Sequence, residues 1–117
     1  MTRSEAYASW DVVAVPFPYT DRLAEKRRPA LVVSSGALAP ERGLVWLVMI
    51  TSAGNPAWEG DIAIADLKSA GLPAASLVRP SKIAVVDAAR IARRLGRLEK
   101  RLRGAVAETL HALIAKP

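Results

Sequence analysis

The chain has 117 residues, 51% of them hydrophobic, and carries 17 basic against 11 acidic side chains for a formal net charge of +6. This length and apolar content suit a single domain spanning residues 1–117 with its own core, and the charge favours an anionic partner such as nucleic acid or an acidic protein. The absence of cysteine excludes disulfides, thiolate catalysis and zinc–thiolate sites.

In chain order, the opening MTRSEAYASW has no apolar h-region, so no signal peptide is expected. DVVAVPF, residues 11–17, is a β-branched run closed by Pro16 and Pro18. YTDRLAEKRR is a polar loop. Pro29 biases Arg28 towards an extended backbone, and ALVVSS then reads as a strand. APERG reads as a turn. LVWLVMIT is the most apolar strand; its lack of alternation predicts burial on both faces, with Trp46 in the core. It is far too short to span a bilayer, so a cytoplasmic protein with no membrane partner is expected.

SAGNPAWEG is a second polar loop, and DIAIA alternates as a strand with one wet face does. KSAGLPA reads as a turn, and SLVRPSKIAVV as two short strands broken near Pro80. Residues 88–98 are ambiguous: alanine and arginine favour helix, whereas Gly96 opposes an unbroken one. From Glu99 onwards Leu102, Val106, Leu110 and Leu113 recur at helical spacing, with Arg101, Arg103, Glu108 and Lys116 off that stripe. The expected fold is mainly β with a C-terminal helix: short strands joined by Pro- and Gly-rich turns form a small curved sheet or barrel, one opening of which the helix covers.

Several chemistries are set aside. The only histidine, His111, sits in the C-terminal helix, so acid–base catalysis by two histidines is impossible. No spacing of acidic or histidine residues suggests a metal site, and no glycine-rich loop has a phosphate-binding pattern. No metal or other cofactor is expected. RIARRLGRLEKRLRG resembles a membrane-surface helix in charge, but the stripe that follows it reads as core-facing.

DVVAVPFPYTD, KRRPALVVS, MITS, SLVRPSKI and RRLGRL, in this order, make the chain similar to the PemK/MazF family of toxin endoribonucleases. The resemblance covers most of the chain, and RRPALV followed by IT at the end of the next strand is its most specific part. It implies an SH3-like barrel, a homodimer, metal-independent cleavage of single-stranded RNA, a cognate antitoxin protein that blocks the RNA groove, and DNA binding together with that antitoxin. The antitoxin segment is expected to be rich in acidic and apolar residues.

Carried over by position, the resemblance puts the family's catalytic arginine at Arg28 and its threonine at Thr51. The chemistry suits both. When a 2′-hydroxyl attacks the adjacent phosphorus, negative charge grows on the phosphoryl oxygens. A planar guanidinium and a fixed hydroxyl can then bind those oxygens. Glu25 is the nearest carboxylate for a general base and Asp21 the second; their spacing departs from the family pattern, and a plain loop role is the alternative for each. Arg79 stands where some members carry an acid, which is a second departure. Lys26, Arg27, Ser52, Arg79 and Lys82 are candidate RNA contacts, and Trp58 is placed to stack on a base. The structural alternatives are a turn cation for Arg28, with its stem on the barrel edge, a strand-end residue for Thr51, solvated turn cations for Arg79 and Lys82, and loop packing for Trp58. Asp11 reads as a turn or capping residue, and Trp10 as packing on the C-terminal helix. A non-catalytic binder of RNA or protein on the same fold, such as a gyrase inhibitor, is the alternative function.

Overall fold

The structure, a computed structural model of the chain, describes residues 7–16 and 27–117. Its strands are β1 (Asp11–Pro16), β2 (Arg27–Val32), β3 (Leu44–Ser52), β4 (Ile62–Ala63), β5 (Ser76–Asp87) and β6 (Arg93–Arg97). They form one sheet of order β4-β5-β3-β2-β1-β6, and every neighbouring pair is antiparallel. The helices are α1 (Leu38–Arg42), α2 (Leu67–Ala70) and α3 (Lys100–Leu113). The mainly β fold with a C-terminal helix is the one expected from the sequence.

Both faces of the sheet are apolar, because successive side chains of a strand point to opposite sides. Val13 and Val15 gather with Ala30, Val32, Leu47 and Met49 on one face. Val12, Leu31, Val48, Ile50 and Val78 gather on the other. α3 covers the second face: Val106 is fully buried there, and Leu102 and Leu110 pack against the same cluster. Trp10 packs in this cluster too. Its φ of 75° lets its N–H reach the Val32 carbonyl at 2.7 Å while its own carbonyl accepts from Leu98 N–H at 2.9 Å. The first face is lined by the sheet itself, with Ala39 of α1 and with Ala88 and Ile91 beyond β5.

Local readings change in five places. APERG overlaps α1, which ends at Gly43 in the left-handed conformation with its N–H on the Ala39 carbonyl. KSAGLPA begins within α2, which is capped by Asp66, whose carboxylate accepts the Ser69 N–H. DIAIA supplies only the two residues of β4. Residues 88–98 split into a 3₁₀ turn, Ala88–Arg90, and strand β6. SLVRPSKIAVV is one strand with a bulge, not two strands: Val48 pairs with Ile83 while Met49 pairs with Arg79, so Pro80, Ser81 and Lys82 have no ladder partner. A bulge tolerates proline because the missing N–H is not needed there.

β6 is a strand for a tertiary reason. α2 lies so close to it that a Cβ on Gly96 would sit 2.3 Å from the Ser69 carbonyl oxygen, and one on Gly71 2.0 Å from that of Leu95. At the N-terminal end of β1, buried Asp11 accepts the Ala8 N–H at 3.0 Å and lies 3.4 Å and 3.6 Å from the guanidinium nitrogens of Arg97 and Arg94.

Trp46 is not in the core. It is 46% exposed, and its cross-strand partner Val85 is 57% exposed. α3 ends before covering this part of the sheet. An apolar cleft of about 640 Å³ remains between them, lined by Trp10, Trp46, Ile83, Leu110, Leu113 and Ile114 among others.

Candidate functional site

Arg28 lies near the start of β2, opposite Val15 of β1, with an exposed side chain. Pro29 has no N–H to give the ladder and holds the preceding residue extended. The β2–β3 ladder closes at Ala30–Met49. Beyond it, alternation puts Arg28 on the face of Ala30 and Thr51 on the face of Met49, so the two side chains share one face of the sheet. Thr51, at the end of β3, pairs with Leu77 of β5, and its Oγ1 accepts a hydrogen bond from Asn55 Nδ2 at 2.8 Å.

The adjacent candidates point the other way. Arg27 and Ser52 follow by alternation on the opposite face. Ser52 Oγ accepts the Gly54 N–H at 3.2 Å, closing the turn that begins the following loop. Glu25, Asp21 and Lys26 lie outside the described residues.

Arg79 pairs with Met49, two residues before Thr51 and on the same face. It is not a solvated cation. Only 7% exposed, it bonds through Nε and Nη2 to the Asp61 carboxylate at 2.8–3.2 Å and through Nη2 to the Pro56 carbonyl at 3.0 Å. The Arg79 hydrogen bonds hold the Asp61 carboxyl below its ordinary value; burial acts against them, and the Trp58 N–H adds to them. The pair is locally neutral, so Arg79 adds little positive field to the groove. Burial accounts for this, since a charge removed from water needs a partner.

Trp58 rests on this pair. Its ring centroid lies 3.9 Å from Arg79 Cζ, and Lys82 Nζ is 5.9 Å away. Its N–H donates to Asp61 Oδ2 at 2.8 Å, and its carbonyl accepts the Asp61 N–H at 3.1 Å. The side chain is still 46% exposed. Lys82 is carried by the β5 bulge beside it. Asp61 and Asn55 are the residues that sequence reasoning missed. Asp61 had one usable signal, since it opens the alternating DIAIA segment and falls on the same side as Ala63. Asn55 had none beyond lying four residues after Thr51.

Among the described residues no set of three or more His, Cys, Asp or Glu side chains converges as metal ligands, and no helix is long and apolar enough to cross a membrane. His111 lies in α3 and lines the apolar cleft.

A mainly antiparallel sheet with one C-terminal helix is the MazF-like fold. MazF from Deinococcus radiodurans superposes with a TM-score of 0.74 at 23% identity, over 92% of this chain and 96% of that one. A MazE–MazF complex from the same organism gives 0.75 at 20% identity, over 92% and 95%. An endoribonuclease in complex with its cognate antitoxin from Mycobacterial species gives 0.71 at 17% identity, over 96% and 98%. No curated protein matches the sequence. Residues 8–114 match the model of the PemK-like, MazF-like toxin of type II toxin–antitoxin systems, and the chain belongs to that family.

Proposed function

We propose that the chain is a metal-independent endoribonuclease that cuts single-stranded RNA at a preferred sequence in the cytoplasm, stopping translation until its antitoxin binds. The observation that carries this reading is the shared face of Arg28 and Thr51 at the open end of β2 and β3. In the reaction the 2′-hydroxyl oxygen attacks phosphorus while its proton passes to a base. The bond from phosphorus to the 5′ oxygen breaks, and that oxygen leaves protonated. The products are a 2′,3′-cyclic phosphate and a 5′-hydroxyl. Arg28 holds the scissile phosphate through two hydrogen bonds and assists the leaving oxygen, and Thr51 orients the same phosphate. Asn55 donates to Thr51 Oγ1, leaving the threonine hydroxyl proton for the phosphate. Glu25, then Asp21, are the candidate bases. Lys26 and Lys82 contribute positive field along the RNA path, while Arg27 stands on the opposite face.

Relatives of this fold have been crystallised with their antitoxins. The net charge of +6 supports an antitoxin segment here that is acidic as well as apolar. The exposed apolar face around Trp46, Ile83 and Val85 supports a homodimer.

The test is incubation of the purified protein with single-stranded RNA in EDTA. Cleavage leaving a 2′,3′-cyclic end is expected, with Arg28→Ala and Thr51→Ala each slowing it by about a hundredfold or more. Intact RNA together with retained growth arrest would sink the nuclease reading and favour a non-catalytic toxin.

A further inference from the structure

We infer that Trp58 is a stacking platform for one unpaired base of the RNA, and that Asp61 is the positioning residue that holds it, acting through Arg79. The inference rests on the endoribonuclease reading of the same face.

A large aromatic side chain left half exposed in a polar loop would ordinarily be free to turn. Trp58 is instead fixed at two levels. Its backbone is tied to Asp61 from both sides, N–H to carboxylate and carbonyl to amide. Its ring lies over the Arg79 guanidinium, itself locked by Asp61 and the Pro56 carbonyl. The Asp61 and Arg79 side chains are 4% and 8% exposed, so this support is built into the protein.

The surface so presented is a half-exposed indole, with the Lys82 ammonium over the ring 5.9 Å from its centre. Arg79 spends its bonds on Asp61 and Pro56, so it is poorly placed to bind a phosphate. A ring and a neighbouring cation match one nucleotide: the base stacks and the backbone meets the lysine. The platform also belongs to the face of the proposed chemistry. Arg79 is paired with Met49, which precedes Thr51 by two residues, about 7 Å along the strand. A base on Trp58 would therefore belong to a nucleotide near the cut bond. Stacking uses the π-face that every base has. The platform thus requires a base at that position while discriminating weakly among the four.

The experiment is a cycle between protein and RNA. A preferred single-stranded substrate is prepared with one abasic nucleotide at each position around the cut. Wild type, Trp58→Ala, Trp58→Phe and Asp61→Asn, each checked for folding by thermal unfolding, are compared on intact and abasic RNA. One abasic position is expected to cost about 5- to 100-fold in kcat/KM, chiefly through KM. Trp58→Ala should cost the same on intact RNA, and the two changes combined should cost no more than either alone. Trp58→Phe should keep most of the coupling, and Asp61→Asn should lose it. Independent, multiplying losses at every position, or Trp58→Ala at wild-type rate, would overturn the platform while leaving the nuclease standing. If RNA is bound but not cut, the same cycle on dissociation constants decides, and coupling there would keep the platform while the nuclease falls. Absence of both binding and cleavage overturns both.

Discussion

Alternation along β2 and β3 separates side chains that are neighbours in sequence. Arg28 and Thr51 share a face, while Arg27 and Ser52 turn from it, and Ser52 closes a turn. Arg79 differs again: it is buried and its charge is balanced by Asp61. Removing one partner of such a pair leaves the other uncompensated, so Asp61→Asn should destabilise the protein at neutral pH. The pH dependence follows from the direction of the Asp61 shift. Its folded value lies below the ordinary 3.8, so the unfolded chain takes up a proton first as pH falls. The stability is fully present above the unfolded value and is lost as pH drops through the lower folded one. Denaturant titrations of wild type and Asp61→Asn should show a constant gap above about pH 5 that narrows below 3.8. A gap that stayed flat down to pH 2 would refute the pairing as its source.

At the scale of elements, two glycines with opposite roles make a contrast. Gly96 lets α2 approach β6, and Gly96→Ala would drive a Cβ into backbone atoms of Ser69 and Ala70. Gly104 lies inside α3, where a Cβ would meet nothing within 4 Å. Gly104→Ala should therefore stabilise the protein by about 0.5–1 kcal/mol, while Gly96→Ala should destabilise it. Paired thermal melts check both signs, and matching shifts would contradict the packing described here. The helix was readable from Leu102, Val106 and Leu110 because its stripe is a local pattern. β6 was not, because alanine and arginine mimic helix there and only contact with α2 and β1 decides the matter. The β5 bulge is similar: Pro80 signalled an interruption, but the chain continues as one strand since its partner β3 runs past it.

The molecule as a whole leaves an apolar face open. Trp46, Ile83 and Val85 are about half exposed, and Leu113 and Ile114, at the end of α3, are 56% and 65% exposed. If this face joins two copies, a charge at its centre should separate them. Ile83→Asp should convert a dimer in sedimentation equilibrium to a monomer while thermal unfolding stays cooperative. A wild-type chain that sediments as a monomer at tens of micromolar would exclude this interface.

By itself the amino-acid sequence determined the class of fold, the C-terminal helix, and Arg28 and Thr51 as the residues to examine. The strands and the helix depend on local periodicity and turn residues, and the two site residues on the resemblance of RRPALV and IT to the PemK/MazF family. Tertiary structure alone decided which side chains share a face, that Arg79 is neutralised, and that Trp46 lies at the surface while Trp58 is held. Each of these depends on the partner strand or loop that lies opposite. Asp61 meets Arg79 across 18 positions of chain, a separation that no local pattern reports.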